Sequence, residues 1–180
     1  MKSKCYAGIG SRETPKEILD LMSVIGEYLQ SKGYILRSGG AIGADTAFEK
    51  YVLPENKEIF YKEDACEESH KYVDKYHPRP YKLTKNSKNL LARNTYQVLG
   101  KDFKTKSDFV ICWTEDGCDS HSKRTRLTGG TGQAISIADD YNITVYNLAN
   151  VVNHNMFVDL LKGDYNIHCE IFKDTYLNEE

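Results

Sequence analysis

Three short stretches of the chain carry the residues of an anion cradle: "GIGSR" at 8–12, "SGGAIGAD" at 38–45 and "TGGTGQA" at 128–134. Each places glycines and a hydroxyl side chain just ahead of a run that reads as helix. There the unpaired N–H groups and the helix dipole favour a negative group, and glycine lets a ligand approach the backbone closely. The chemistry in question is phosphate binding. A tight packing turn would use the same residues, so one such turn decides little. Three at one edge of a sheet would converge on a single crevice, which points to a phosphate or nucleotide ligand.

What is missing narrows the ligand. "SGGAIGAD" lacks the Lys-Ser/Thr pair of a Walker A loop, which argues against a Mg²⁺-dependent NTPase. "GIGSRETP" does not complete G-x-G-x-x-G, which argues against an NAD(P) dehydrogenase. Cys112, Cys118 and His121 have the spacing C-x₅-C-x₂-H but no fourth partner, and Cys112 falls inside an apolar run. They read as a core cysteine with loop residues, so neither a metal site nor a cofactor is expected. "SHSKRTR" at 120–126 gathers Lys123, Arg124 and Arg126 either on a solvated loop or on a basic flap over an anionic ligand. Trp113, Tyr96 and Tyr146 are candidates for base stacking or for core.

The elements that position these residues alternate between strand and helix. "KCYAGIG" reads as a buried strand running into a turn. "TPKE" offers Thr14 as N-cap, Pro15 at the first helical position and Glu17 for a capping box. Ile18, Leu21, Met22, Ile25 and Leu29 then form one apolar helical face, closed by Gly33. Strand "YILR", the glycine turn, helix "ADTAFEKYV" and strand "KEIFY" complete a β-α-β-α-β unit. Residues 62–88 break the rhythm and read as an inserted short helix and loop. A helix resumes over "NLLARNTYQVLG", followed by strand "SDFVICW", a long loop at 114–128, helix "TGQAISIADDY", strand "ITVYNL" and helix "NMFVDLL". The tail at 164–180 offers a further edge strand, "YNIHCEIF". The expectation is an α/β, Rossmann-like three-layer fold, with a mainly parallel sheet and helices on both faces, in which strand-to-helix turns are the candidate sites.

Bulk properties bound the rest. At 180 residues the chain is expected to form one domain. A net charge of −2 argues against a general duplex-DNA binder with a broad basic face. No apolar stretch approaches a membrane span or a signal-peptide core, so a cytoplasmic protein is expected. The five cysteines, Cys5, Cys66, Cys112, Cys118 and Cys169, are odd in number and scattered, which suits reduced thiols rather than a disulfide framework.

"GIGSR", "SGGAIGAD", "ARN" at 92–94 and "GGTGQA" before "ITVYNL", in that order across residues 4–149, resemble the SLOG superfamily. That superfamily groups the Rossmann-like domains of DprA/Smf proteins with the LOG phosphoribohydrolases, and the likeness here is to small DprA-like proteins of phages and bacteria. The resemblance implies a nucleotide or nucleotide-derived ligand, such as a cyclic nucleotide or an ADP-ribose derivative. Gly10, Ser11 and Arg12 would bind its phosphate. Ser38, Gly39, Gly40, Gly43 and Ala44 would line the cradle, and Gly129, Gly130, Thr131, Gly132 and Gln133 would close the other side. Arg93 and Asn94 match the family's Arg-Asn pair, Trp113 is placed to stack on a base, and Asp45 either touches a ribose hydroxyl or caps its helix.

In a phage setting such a protein would sense or sequester a defence signal. A phosphoribohydrolase or N-glycosidase is the first alternative, and single-stranded DNA binding, open but not favoured by the charge, is the second. The LOG motif PGGxGTxxE is here "TGGTGQAIS", with Thr128 for the proline and Ile135 or Ser136 where the glutamate falls, which weakens the hydrolase reading. Asp45, Glu49, Glu115 and Asp116 remain as substitutes. The resemblance also implies a homo-oligomer.

Overall fold

In a computed structural model, which describes residues 4–163, five strands form one sheet. They are β1 (Lys4–Gly8), β2 (Tyr34–Ser38), β3 (Lys57–Ile59), β4 (Phe109–Cys112) and β5 (Thr144–Asn147). Every pairing is parallel and the order is β3-β2-β1-β4-β5. Side chains alternate across a strand, and here the alternation feeds two cores. Tyr6, Leu36 and Ile111 face one layer, made by α1 (Lys16–Ser31), α2 (Ala44–Glu49) and α6 (Val151–Lys162). Ala7, Ile9, Val110 and Cys112 face the other, made by α3 (Glu67–Tyr76), α4 (Lys85–Leu99) and α5 (Thr131–Asp140). This is the α/β three-layer arrangement expected from the sequence. The edge strand expected at "YNIHCEIF" lies outside the described residues.

The chain builds outward from β1 through β2 to β3, then crosses to β4 and β5. Strand order therefore reverses between β1 and β4, and the crevice at their carboxyl ends is where open sheets of this kind receive ligands.

Packing of α1 follows its sequence: Ile18, Leu21, Met22, Ile25 and Leu29 are buried, each such side chain contributing about 1.5–3 kcal/mol. A Cβ on Gly26 would lie 2.4 Å from the Phe48 carbonyl oxygen, so α1 and α2 meet on bare backbone. Thr14 does not cap this helix. Pro15 occupies the N-cap position without a side-chain bond, and the Thr14 hydroxyl donates to the Ser11 carbonyl at 2.7 Å, bracing the turn that follows β1.

The segment expected to be an insertion is part of the second helical layer. Ser69, Val73 and Tyr76 of α3 are buried against α4 and α5. Helix α4 starts at Lys85 rather than Asn89, because the Thr84 hydroxyl accepts the Ser87 amide at 3.1 Å. Helix α6 starts at Val151 rather than Asn155, with the Asn150 side chain accepting the Val152 amide at 2.9 Å. The four described cysteines, Cys5, Cys66, Cys112 and Cys118, are free thiols. Among the described residues no helix is long and apolar enough to cross a membrane.

Candidate functional site

Two of the glycine turns touch. Gly43 has φ +103°, and a Cβ there would lie 2.9 Å from both the Arg12 Cα and the Ser11 carbonyl oxygen. A Cβ on Gly10 would likewise meet the Ala44 Cβ at 2.7 Å. The third turn closes the circle through α4, where the Asn94 amide donates to the Gly130 carbonyl at 3.3 Å. The result is one cleft of about 440 Å³ at the carboxyl ends of β1 and β4, a size suited to a small ligand.

Gly10, Ser11, Arg12, Asp45, Arg93, Asn94, Gly129, Gly130 and Thr131 all line this cleft. The turn after β1 is ordered by the Ser11 hydroxyl, which accepts the Glu13 amide at 3.0 Å, and it carries the exposed Arg12 to the rim. Opposite stands the start of α5. The amides of Gly130 and Thr131 have no hydrogen-bond partner among the described residues, and Gly129 and Gly130 are exposed. Positive backbone dipoles thus face a guanidinium across the space.

Asp45 and Arg93 form the inner wall. Asp45 is 2% exposed, and its Oδ2 lies 3.4 Å from Arg93 Nη2. The same oxygen accepts the Ala41 amide at 3.3 Å, so the side chain reaches back into its own turn and makes no cap to α2. Burial pushes the Asp45 carboxyl up to about 6, against the opposing pull of the Arg93 cation and of the Ala41 and Gly39 amides. Arg93 Nη1 donates to the Gly39 carbonyl, while its buried Nε has no hydrogen-bond partner among the described residues.

No protein-family model matches the sequence, and no curated protein matches it. Among solved structures, the chain is similar to DNA processing protein A from Helicobacter pylori, described for its single-stranded DNA binding mode. The TM-score is 0.55 and the identity 17%, over 91% of this chain and 83% of that one. The likeness is one of fold.

The remaining sequence candidates sit outside the cleft lining. The Ser38 hydroxyl donates to Glu49 Oε1 at 2.6 Å, and the Gly40 amide donates to the same oxygen at 3.1 Å. Helix α2 therefore answers part of the second turn with its own carboxylate. Gly39 is the surface on which Arg93 lies, for a Cβ there would meet the guanidinium carbon at 2.6 Å. Ala44 and Gly43 serve the contact with the first turn. Trp113 packs on the α1-side core, and Gly132 makes room for Arg124, whose Nε would lie 2.5 Å from an added Cβ. Gln133 is fully buried and donates to the Tyr72 carbonyl at 2.9 Å.

Sequence reasoning missed seven lining residues: Ile9, Glu13, Ala41, Ser87, Leu90, Leu91 and Thr128. Ser87, Leu90, Leu91, Arg93 and Asn94 lie within two turns of α4, and their three- and four-residue spacing was the available signal. Leu90 and Leu91 give the cleft an apolar wall beside its cations. Tyr96 belongs to the interior, its hydroxyl donating to the Asp64 carbonyl at 2.7 Å, and Tyr146 packs edge-on against Phe157.

The loop at 114–128 is held from within. Asp116 Oδ2 accepts the hydroxyls of Thr125 at 2.6 Å and Thr128 at 2.5 Å. Partial burial works to raise the Asp116 carboxyl, but these bonds and one from Thr114 outweigh it and hold it at about 2. Of the loop's three cations, Lys123 pairs with Asp119 at 2.8 Å, while Arg124 turns inward to the Tyr76 carbonyl and the Ser136 hydroxyl, each at 2.9 Å. Arg126 faces a neighbouring groove rather than the cleft. The His121 ring also bonds Ser136, at 2.8 Å, and the Cys118 thiol donates to the Ser120 carbonyl.

Proposed function

We propose that the cleft binds the phosphorylated sugar of a nucleotide or nucleotide-derived ligand. The observation that carries this reading is the convergence, on one cleft of about 440 Å³, of Arg12, the open amides of Gly130 and Thr131, and the Asp45–Arg93 pair. The phosphate lies between Arg12 and the α5 N-terminus, where charge-assisted hydrogen bonds are strongest. The sugar hydroxyls meet Asp45, and Leu90 and Leu91 offer the base an apolar surface.

The test is calorimetric titration with AMP and other nucleoside monophosphates, against the free nucleosides. Monophosphates are expected to bind, nucleosides about tenfold or more weakly, and the exposed Arg12→Ala to remove that advantage without lowering Tm. Equal affinity for nucleoside and monophosphate refutes the reading.

A second reading has one observation behind it. The solved structure similar in fold is of a protein that binds single-stranded DNA. On that reading the cleft holds one nucleotide of a strand. A labelled oligonucleotide would then bind with an affinity that falls as salt rises, since each phosphate contact releases counterions.

A further inference from the structure

A second cavity, of about 950 Å³, adjoins the cleft and shares Gly129 with it. One wall is the end of α3 and the segment after it, with Lys75, His77 and Arg79. The other is the 114–128 loop, with His121, Arg124 and Arg126. Among the described residues no aspartate or glutamate lines it, although the whole chain carries a net charge of −2.

The positive charge is only partly answered. Lys75 pairs with Asp140 at 2.7 Å, and the His121 backbone amide is taken by Asp139. Arg124 is half-buried and, among the described residues, meets only neutral acceptors, the Tyr76 carbonyl and the Ser136 hydroxyl, so burial works against its cation without a carboxylate there to offset the cost. Arg79 and Arg126 are exposed and form no ion pair among the described residues. Three guanidinium groups converging on one groove repel each other, and an anion relieves that repulsion. Guanidinium geometry favours a phosphate that it can grip through two N–H groups.

The passage between the two cavities is open. Gly129 has φ +60° and no heavy atom within 4 Å of where a Cβ would stand, so a ligand spanning both spaces crosses bare backbone.

We propose that this groove holds a second phosphate of the ligand whose first nucleotide occupies the cleft. The inference rests on the nucleotide reading of that cleft and extends it to a class. The ligand is a nucleotide joined through a further phosphate to a second unit, by either a pyrophosphate or a phosphodiester linkage.

The experiment titrates the full chain with AMP, ADP-ribose, 5′-phosphorylated diadenylate and a single-stranded oligonucleotide of about twelve residues. A ligand with the second phosphate is expected to bind about tenfold or more tightly than AMP. Substituting Arg79→Ala and Arg126→Ala together is expected to remove that gain while leaving AMP affinity and Tm unchanged. Preference for ADP-ribose identifies the pyrophosphate source; preference for the diadenylate or the longer strand identifies the phosphodiester source. If AMP binds and no other ligand gains, or the gain survives the double substitution, the groove proposal is overturned. If AMP fails to bind while the larger ligands bind and respond to the double substitution, the cleft reading falls and the groove stands. If nothing binds, both fall.

Discussion

Replacing Asp45 by asparagine tests whether the cleft stores the electrostatic cost that its geometry implies. Asparagine keeps the shape of the protonated carboxyl and removes the charge. Asp45 is almost fully buried, and its folded pKa of about 6 stands above the 3.8 of an unburied aspartate. The ionised native state is therefore penalised, by about 3 kcal/mol at 1.36 kcal/mol per pH unit. The attraction of Arg93 is already inside that figure. Because the folded value is the higher one, the penalty is fully present above about pH 6. It shrinks as pH falls toward 3.8, below which both states are protonated. Asp45→Asn is expected to be more stable than the parent by about 3 kcal/mol at pH 7.5 and by only about 1 kcal/mol at pH 4.5. For a chain of this length the first figure raises Tm by about 6–12 °C. Scanning calorimetry of both proteins at the two pH values checks it, and the same variant is expected to lose about tenfold in nucleotide affinity. A variant that melts lower at pH 7.5, or an offset equal at the two pH values, refutes the reasoning.

Two other substitutions probe how the cleft is assembled. Gly43→Ala puts a side chain at φ +103° against the backbone of Ser11 and Arg12; it is expected to cost about 2 kcal/mol or more and to weaken monophosphate binding, read by melting and titration together. Asp116→Asn weakens the bonds to Thr125 and Thr128, so trypsin is expected to cut after Lys123, Arg124 and Arg126 several-fold faster under native conditions; an unchanged rate means that Asp116 does not brace the loop. Since Asp116 is held at about 2, below its unfolded value, its contribution is present above pH 3.8 and lost as pH falls through about 2, so the parent loop keeps its protection from pH 8 to pH 5.

The parallel sheet was legible because its strands are short apolar runs ending in glycine turns, and α1 because five apolar residues repeat at helical spacing between a proline and Gly33. The α3 segment was legible as a short helix but not as part of a packed layer, although Ser69, Val73 and Tyr76 repeat at four and three residues. A serine marks one buried position there, and the surrounding charges dilute the period. Local chemistry also has two solutions at some positions. Thr14 before Pro15 fits a cap, yet its hydroxyl is drawn to the Ser11 carbonyl, a choice that the fold of the β1–α1 turn makes. In the site, the first two turns meet because β1 and β2 are neighbours, while the third is joined to them through Asn94 of α4. What sequence does not encode is which polar groups satisfy each other: the Gly40 amide looks free until Glu49, one helix later, folds back onto it. Nor does it separate the cleft from the groove: Arg124 and Arg126 both line the groove, whereas Thr128, two residues on, lines the cleft.

Four carboxylates stood in for the glutamate missing from "TGGTGQAIS". Glu49 is bound to Ser38 and Gly40, Asp116 holds two threonines of its own loop, and Glu115 is exposed outside the cleft lining. Of the two residues where that glutamate could fall, Ile135 is buried in the core and Ser136 turns toward Arg124 and His121 instead of the cleft. Asp45 and the exposed Glu13 are the carboxylates that line the cleft. The Glu13 carboxylate makes no hydrogen bond or ion pair among the described residues, so nothing fixes it at the geometry a reacting sugar requires. Asp45 is fixed, but a single positioned carboxylate serves either as proton donor or as the charge that stabilises the opposite face of the sugar. Glycosidic cleavage by paired carboxylates needs both. Among the described residues the cleft fixes one carboxylate, Asp45, of the two that this mechanism uses.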